Sequence, residues 1–282
     1  METIKDEKIK ELKIIANNIR KSIIEMLYEA GSGHTAGALG MADIFTLLYF
    51  HILKNDPKNP QWINRDRLIL SNGHICPVLY ATMAHAGYFP IEELKTLRKF
   101  GSRLQGHPDR QFIPWLETSS GPLGEGLSQA IGMAIADRIY GGTKTIYAIL
   151  SDGEHDEGNT WEAIMLASKE KLSNLIIIVD RNNIQISGNT ERVMPLDDLK
   201  DKYKSFNCFT QEIDGNDLWE INNAIYKAKS NKSGPSVIIA KTVPSKGVKE
   251  WENDYRWHGK VPNKNEMEMA IKELEILGEK LI

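Results

Sequence analysis

The chain has 282 residues, with 35 Lys and Arg against 38 Asp and Glu for a net charge of −3, 41% hydrophobic and 26% charged residues, 22 Gly and 11 Pro. That profile is of an ordinary globular protein of one large or two ordinary domains, and it excludes a disordered chain, a fibrous repeat and a small disulfide scaffold. Balanced charge with no long run of one sign leaves no footprint for nucleic acid or an anionic membrane surface.

The N-terminal METIKDEKIKELK is charged and has no apolar core, and the longest apolar stretch, residues 175–179, is far too short to span a bilayer. Cys76 and Cys208 form no C-x-x-C pair, so no zinc ribbon or disulfide framework is readable and a reducing cytoplasm fits best.

In chain order, Ile9, Leu12, Ile15, Ile19, Ile23, Met26 and Leu27 recur at intervals of three and four, which predicts an amphipathic helix ending before Gly31. Residues 42–53 predict a second helix. Between them GSGHTAGALG, residues 31–40, is expected to be a functional loop, being too glycine-rich for helix interior. Short apolar segments at 67–70, 146–150, 175–179 and 237–240 predict strands, the last three without alternation, as strands covered on both faces require. Helical patterns at 126–140, 160–171 and 218–229 lie between them. The result is an α/β fold with a mostly parallel sheet in a three-layer α/β/α sandwich. No repeat or linker divides the chain, so one domain over 1–282 is expected, with a helical C-terminal tail at about 264–282.

The segment most informative about chemistry is Asp152-Gly153 after the 146–150 strand, paired with Asn182 after the 175–179 strand. Both fall at strand C-termini, the edge at which open parallel sheets bind ligands. A hard divalent cation takes oxygen ligands and keeps phosphate oxygens and water, so Asp152, Asn182 and the carbonyl of Ile184 would suffice as its protein ligands. Gly153 would let a diphosphate approach the backbone. On the residues alone, D-G and R-N-N read equally well as turn residues after strands.

These motifs, with GSGHTAGALG, NRDRLILSNGH, LQGHPD, SSGPLGEGLSQAIGMA, SDGEHDEGNTWEA, IVDRNNIQISG, IIAKTVPSKG and WHGKVP in this order, resemble the N-terminal part of a transketolase across most of residues 9–262. The spacing is similar to split transketolases, in which this part is a separate polypeptide. The resemblance implies a thiamine diphosphate-binding fold with bound Mg2+, whose ligands are Asp152, Asn182 and Ile184. It implies that His34 and His258 lie near the diphosphate and the reacting sugar, that His74 contacts the diphosphate and that His107 hydrogen-bonds substrate. Gly121, Leu123 and Gly124 match the loop against the thiamine, and Glu157 and Glu162 match carboxylates at a subunit interface. A histidine titrating near neutrality suits both phosphate binding and proton transfer from sugar hydroxyls. His51, His85 and His155 match no motif and read as structural.

Two positions depart from the family pattern. Ser151 replaces the usual Gly before the metal Asp, and Thr35 replaces the Pro common in fused enzymes. The resemblance also implies a missing half: the Glu that acts on the aminopyrimidine ring, and most groups gripping the sugar phosphate, belong to a module absent from this chain. The expected activity is therefore transfer of a two-carbon ketol unit between sugar phosphates by a heteromer, at least two of these chains with two C-terminal partner subunits. The alternatives are the α-subunit of a 2-oxo-acid dehydrogenase and a non-catalytic regulatory subunit.

Overall fold

In the computed structural model, which describes residues 4–281, the chain begins with helix α1 (Asp6–Ala30), which presents Leu12, Ile19, Ile23 and Leu27 to the core and ends on Gly31 in the left-handed conformation. The segment expected to be a loop is only partly one. Residues 36–40 form the short helix α2 (Ala36–Gly40), because the glycines here serve close packing: a Cβ on Gly40 would meet the carbonyl oxygen of Val243 at 2.9 Å. The second expected helix is α3 (Ala42–Leu47), continued by a π-helical turn at Leu48–Ile52.

The sheet contains β1 (Arg67–Leu70), β2 (Ile146–Ser151), β3 (Leu175–Arg181), a strand β6 (Phe209–Asp214) and β7 (Ser236–Lys241), in the order β1-β2-β3-β7-β6. Every pairing is parallel. A two-stranded antiparallel hairpin, β4 (Ile184–Gln185) with β5 (Gly188–Asn189), projects beyond the end of β3. The remaining helices are α4 (Cys76–His85), α5 (Glu125–Ile139), α6 (Gly158–Lys169), the one-turn α7 (Thr190–Val193), α8 (Leu199–Ser205), α9 (Leu218–Ser230) and α10 (Lys264–Glu279).

The unalternating strands divide their side chains between two cores. Tyr147, Ile149, Ile176 and Ile178 pack with α1, α3, α4 and α9 on one face. Ile146, Ala148, Leu150, Leu175, Ile177 and Val179 pack with α5, α6 and α8 on the other. Both faces are covered, which is why these strands are apolar throughout. Helix α10 starts with a capping box between Asn263 and Glu266 and is tied to α1 by Asn17 Nδ2 donating to the Leu274 carbonyl at 2.8 Å. Both cysteines are buried free thiols. Among the described residues no helix is long and apolar enough to cross a membrane.

Candidate active site

The floor of the site is the C-terminal edge of the sheet, where the register of β2 and β3 sets Ser151 beside Asp180. Asp152, fully buried, follows Ser151 directly. Its Oδ1 accepts from Gly153 N at 2.8 Å, and its Oδ2 accepts from Asn183 N at 2.7 Å and from Arg181 Nη1 at 3.2 Å. Asn182 accepts at Oδ1 from Ile184 N at 3.0 Å and donates through Nδ2 to Asp180 Oδ2 at 2.8 Å. The other Asp180 oxygen accepts from the Thr242 hydroxyl. Burial raises the Asp152 carboxyl to about 6 despite Arg181, and raises Asp180 to about 7, with the charge of Asp152 adding to it.

Of the two buried carboxyls only Asp152 has a guanidinium on it, while Asp180 is held by Asn182 and Thr242, a local shortage of positive charge at a place lined by hard oxygens. Asp152, the Asn182 amide oxygen and the adjoining Ile184 backbone fit a divalent cation, provided that Arg181 yields its place on Asp152. No group of three or more His, Cys, Asp or Glu side chains is gathered for a metal among the described residues.

Three histidines meet. Ring centres of His34 and His74 are 5.0 Å apart, of His74 and His258 5.3 Å, and of His34 and His258 5.5 Å. They come from three distant segments, and one bond explains how two are held: the Thr35 hydroxyl donates to the Lys260 carbonyl at 2.6 Å, joining the loop of His34 to that of His258. Thr35 therefore does what Pro at this position could not. His107 is exposed, with its ring 3.7 Å from the Cβ position of Gly121.

Where the sequence suggested rings titrating near neutrality, all four are shifted down from the ordinary histidine value in the free site. Burial, then the neighbouring His258, lowers His34 to about 4. Burial lowers His74 and His258 as well, and burial followed by the Arg98 charge lowers His107. Each shift favours the neutral imidazole, which has one donor and one acceptor nitrogen.

Glu154, which sequence reasoning did not select, organises the surrounding loops. Fully buried, it accepts from the Ser71 hydroxyl, from Gly124 N at 2.7 Å and from Ser151 N at 3.1 Å. The end of β1, the Gly121–Leu123–Gly124 loop and the end of β2 thus converge on one carboxylate. Gly124 has φ +81°, a left-handed conformation that favours glycine, and a Cβ there would collide with Asn159. His155 is likewise no bystander. Buried and lowered to about 4 by desolvation, it lies with Nδ1 2.9 Å from the Ser151 carbonyl, while Nε2 lies 2.6 Å from the Tyr203 hydroxyl. Because a carbonyl only accepts, Nδ1 carries the proton and Tyr203 donates to Nε2.

Several buried polar atoms on the segments of this region lack a protein partner, among them His34 Nδ1, both amide atoms of Asn72 and Ser120 Oγ. Asn72 precedes Gly73-His74 and Ser120 precedes Gly121, so the unpartnered groups lie on the segments expected to contact a diphosphate. Buried groups of this kind ordinarily find partners, and a polyoxygen ligand fits them. Gly153 does not open on empty space: a Cβ there would meet Gln185 Oε1 at 2.7 Å. Leu123 is half-buried on its loop, whereas Glu157, at the start of α6, and Glu162, on α6, are exposed.

An all-parallel α/β sheet with an acidic, amide-bearing turn and a histidine cluster at its C-terminal edge defines a nucleotide- or diphosphate-binding class of protein. The family model for the thiamine diphosphate-binding domain of transketolase matches residues 11–276, and the chain belongs to that family. It is 41% identical over 95% of its length, and 98% of the relative's, to a 6-deoxy-6-sulfo-D-fructose transketolase subunit of Clostridium sp. (strain MSTE9). It is 36% identical to an apulose-4-phosphate transketolase subunit of Phocaeicola vulgatus, with 97% of each chain covered. The structure of transketolase from Leishmania mexicana superposes with a TM-score of 0.87 at 28% identity, covering 96% of this chain and 45% of that one. The chain therefore spans about half the length of that solved enzyme.

Proposed function

We propose that this chain is the diphosphate-binding subunit of a two-polypeptide transketolase of the cytoplasm, moving a two-carbon ketol unit from a ketose phosphate to an aldose phosphate with thiamine diphosphate and Mg2+. The observation that carries this reading is the cluster of His34, His74 and His258, with ring centres 5.0–5.5 Å apart, linked to the Asp152–Asn182 turn through α2, where the Cβ position of Gly37 stands 3.9 Å from Asn182 Nδ2. Relatives of the same length that are named as transketolase subunits support a partner.

In this reading the cofactor, when bound, supplies a carbon nucleophile and an electron sink. Asp152, Asn182 and the Ile184 carbonyl hold the metal. His74, Gly153 and His258 contact the diphosphate, Gly121, Leu123 and Gly124 lie against the thiamine, and Glu157 and Glu162 face a second subunit. His34 and His258, neutral and able to accept, take the substrate hydroxyl proton as the carbon–carbon bond breaks and return it to the acceptor, while His107 holds a sugar hydroxyl. The whole chain acts as one diphosphate-binding unit, and the partner brings the aminopyrimidine site. Neutral imidazoles in this number suit a polyhydroxylated substrate better than a small 2-oxo acid, which disfavours the dehydrogenase reading.

The test is ketol transfer from xylulose 5-phosphate to ribose 5-phosphate with thiamine diphosphate and Mg2+, using the chain alone and mixed with its C-terminal partner subunit. Activity in the mixture alone supports the reading, and full activity of the single chain refutes the need for a partner. Activity in neither, with 2-oxo acids decarboxylated instead, would transfer the chain to the dehydrogenase class.

A further inference from the structure

Tyr203 lies outside every motif of the site, on α8, yet it reaches the turn that carries Asp152. Its side chain is fully buried, and its hydroxyl stands 2.6 Å from Nε2 of His155. The other nitrogen of that ring meets two backbone carbonyls, that of Ser151 at 2.9 Å and that of Asp152 at 3.1 Å.

The ring between them is caged. Trp161 Nε1 donates to the His155 carbonyl at 2.8 Å, and the rings of Trp161 and Tyr203 stand edge-on to the imidazole with centres 5.5 and 5.7 Å away. Helix α8 is itself fixed at both ends. Asp198 accepts from Asp201 N at 2.9 Å at its start, and the Ser168 hydroxyl of α6 donates to the Phe206 carbonyl at its end. Tyr203 therefore presents its hydroxyl from a rigid support.

A neutral imidazole has one N–H, and two carbonyls claim it at Nδ1, so Nε2 is left as an acceptor. The Tyr203 hydroxyl is its donor, with no other printed for it among the described residues. Without that hydroxyl a buried lone pair would go unpaired, which is costly. The ring could relieve it by moving its proton to Nε2, and the Nδ1 lone pair would then face two carbonyl oxygens. Tyr203 thus selects the tautomer that holds the Ser151 and Asp152 carbonyls, and those carbonyls fix the direction from which the Asp152 side chain leaves the backbone.

We infer that Tyr203 and His155 are positioning residues for the metal, holding the Ser151–Asp152 backbone so that the Asp152 carboxylate is presented to the cation together with Asn182. This rests on the thiamine diphosphate and metal reading above. Neither side chain is a ligand. They act one step behind the ligand, where loss of a hydrogen-bonding partner typically weakens metal binding by about 10–100-fold.

The experiment is a Mn2+ titration by paramagnetic resonance, using the chain with its partner subunit and thiamine diphosphate. Tyr203→Phe keeps the ring and loses only the hydroxyl, and is expected to weaken Mn2+ binding about tenfold. His155→Ala should lose at least as much, and His155→Asn, whose amide can still donate to the carbonyls, should recover part of it. Ile225→Val trims the core on the opposite face of the sheet, and should lower stability while leaving Mn2+ affinity within about twofold. A Tyr203→Phe variant that is less stable to denaturant but binds Mn2+ as the wild type does would reduce the pair to packing and overturn the inference, as would an equal loss of affinity in Ile225→Val. A wild-type complex that binds no Mn2+ would instead overturn the metal reading, and this inference with it.

Discussion

Arg181 binds Asp152 from the neighbouring strand, its Nη1 3.2 Å from Oδ2, while its Nη2 reaches Glu191 at 2.5 Å. The cation of the chain itself thus stands on the carboxylate expected to ligate the metal. An ionised buried carboxylate is costly without a counter-charge, and Glu191 offers the guanidinium a second partner to retain when it releases Asp152.

Removing this competitor has opposite effects on metal and on stability. Arg181→Gln should tighten Mn2+ binding several-fold, measured by paramagnetic resonance titration. It should also lower metal-free stability by about 3 kcal/mol, because Asp152 is left buried without its cation, with recovery on adding metal. Unchanged Mn2+ affinity would show that Arg181 and the metal do not compete.

Glu154 is the joint between three loops, so its loss should be structural before it is catalytic. Glu154→Ala leaves Gly124 N, Ser151 N and the Ser71 hydroxyl without their acceptor, which should cost about 2–4 kcal/mol in denaturant unfolding. Glu154→Gln keeps an acceptor oxygen and should lose less. Equal, small losses would remove Glu154 from the framework of the site.

The Thr35 hydroxyl holds two histidine loops together through Lys260. Thr35→Val keeps the volume and loses the bond, and should lower ketol transfer about tenfold, with thiamine diphosphate affinity changed far less. Thr35→Ser should restore it. A valine variant of full activity would show that His34 and His258 are positioned without this link.

The pH dependence follows from His34, whose imidazole is lowered from 6.5 to about 4, first by burial and then by His258. Between those values the unfolded chain binds the proton and the folded chain does not, so this contribution to stability is present above pH 6.5 and is lost as pH falls towards 4. In the cofactor-free chain the His34 ring should titrate below pH 5 by NMR, and His34→Gln should flatten the fall in stability over that window. A midpoint near 6.5 would mean that the ring is solvated.

Much of this arrangement was legible beforehand because the central strands are apolar on both faces. Residues 146–150 and 175–179 could be read as buried parallel strands, and the turns after them follow from that. The edge strand β6 escaped because FTQEID is half-exposed and polar, and α4 escaped because it is buried on nearly every side and has no polar stripe to set a period. The cluster of His34, His74 and His258 was expected from the resemblance, since three distant segments carry no local signal that they meet. Glu154 and Arg181 stood within quoted motifs and His155 was read as structural, but what each does depends on partners such as Ser71, Glu191 and Tyr203 that only folding brings near. Ser151 is one such case: its N–H and carbonyl are both spent within the site, on Glu154 and His155.

The most direct measurement is a crystal structure of the chain with its partner subunit, thiamine diphosphate and Mn2+, with anomalous differences recorded to locate the metal. The expected result is a single peak between the Asp152 carboxylate and the Asn182 amide oxygen, with diphosphate density reaching His74 and Arg181 turned towards Glu191. A saturated complex whose metal lies elsewhere, with Arg181 still on Asp152, would contradict it.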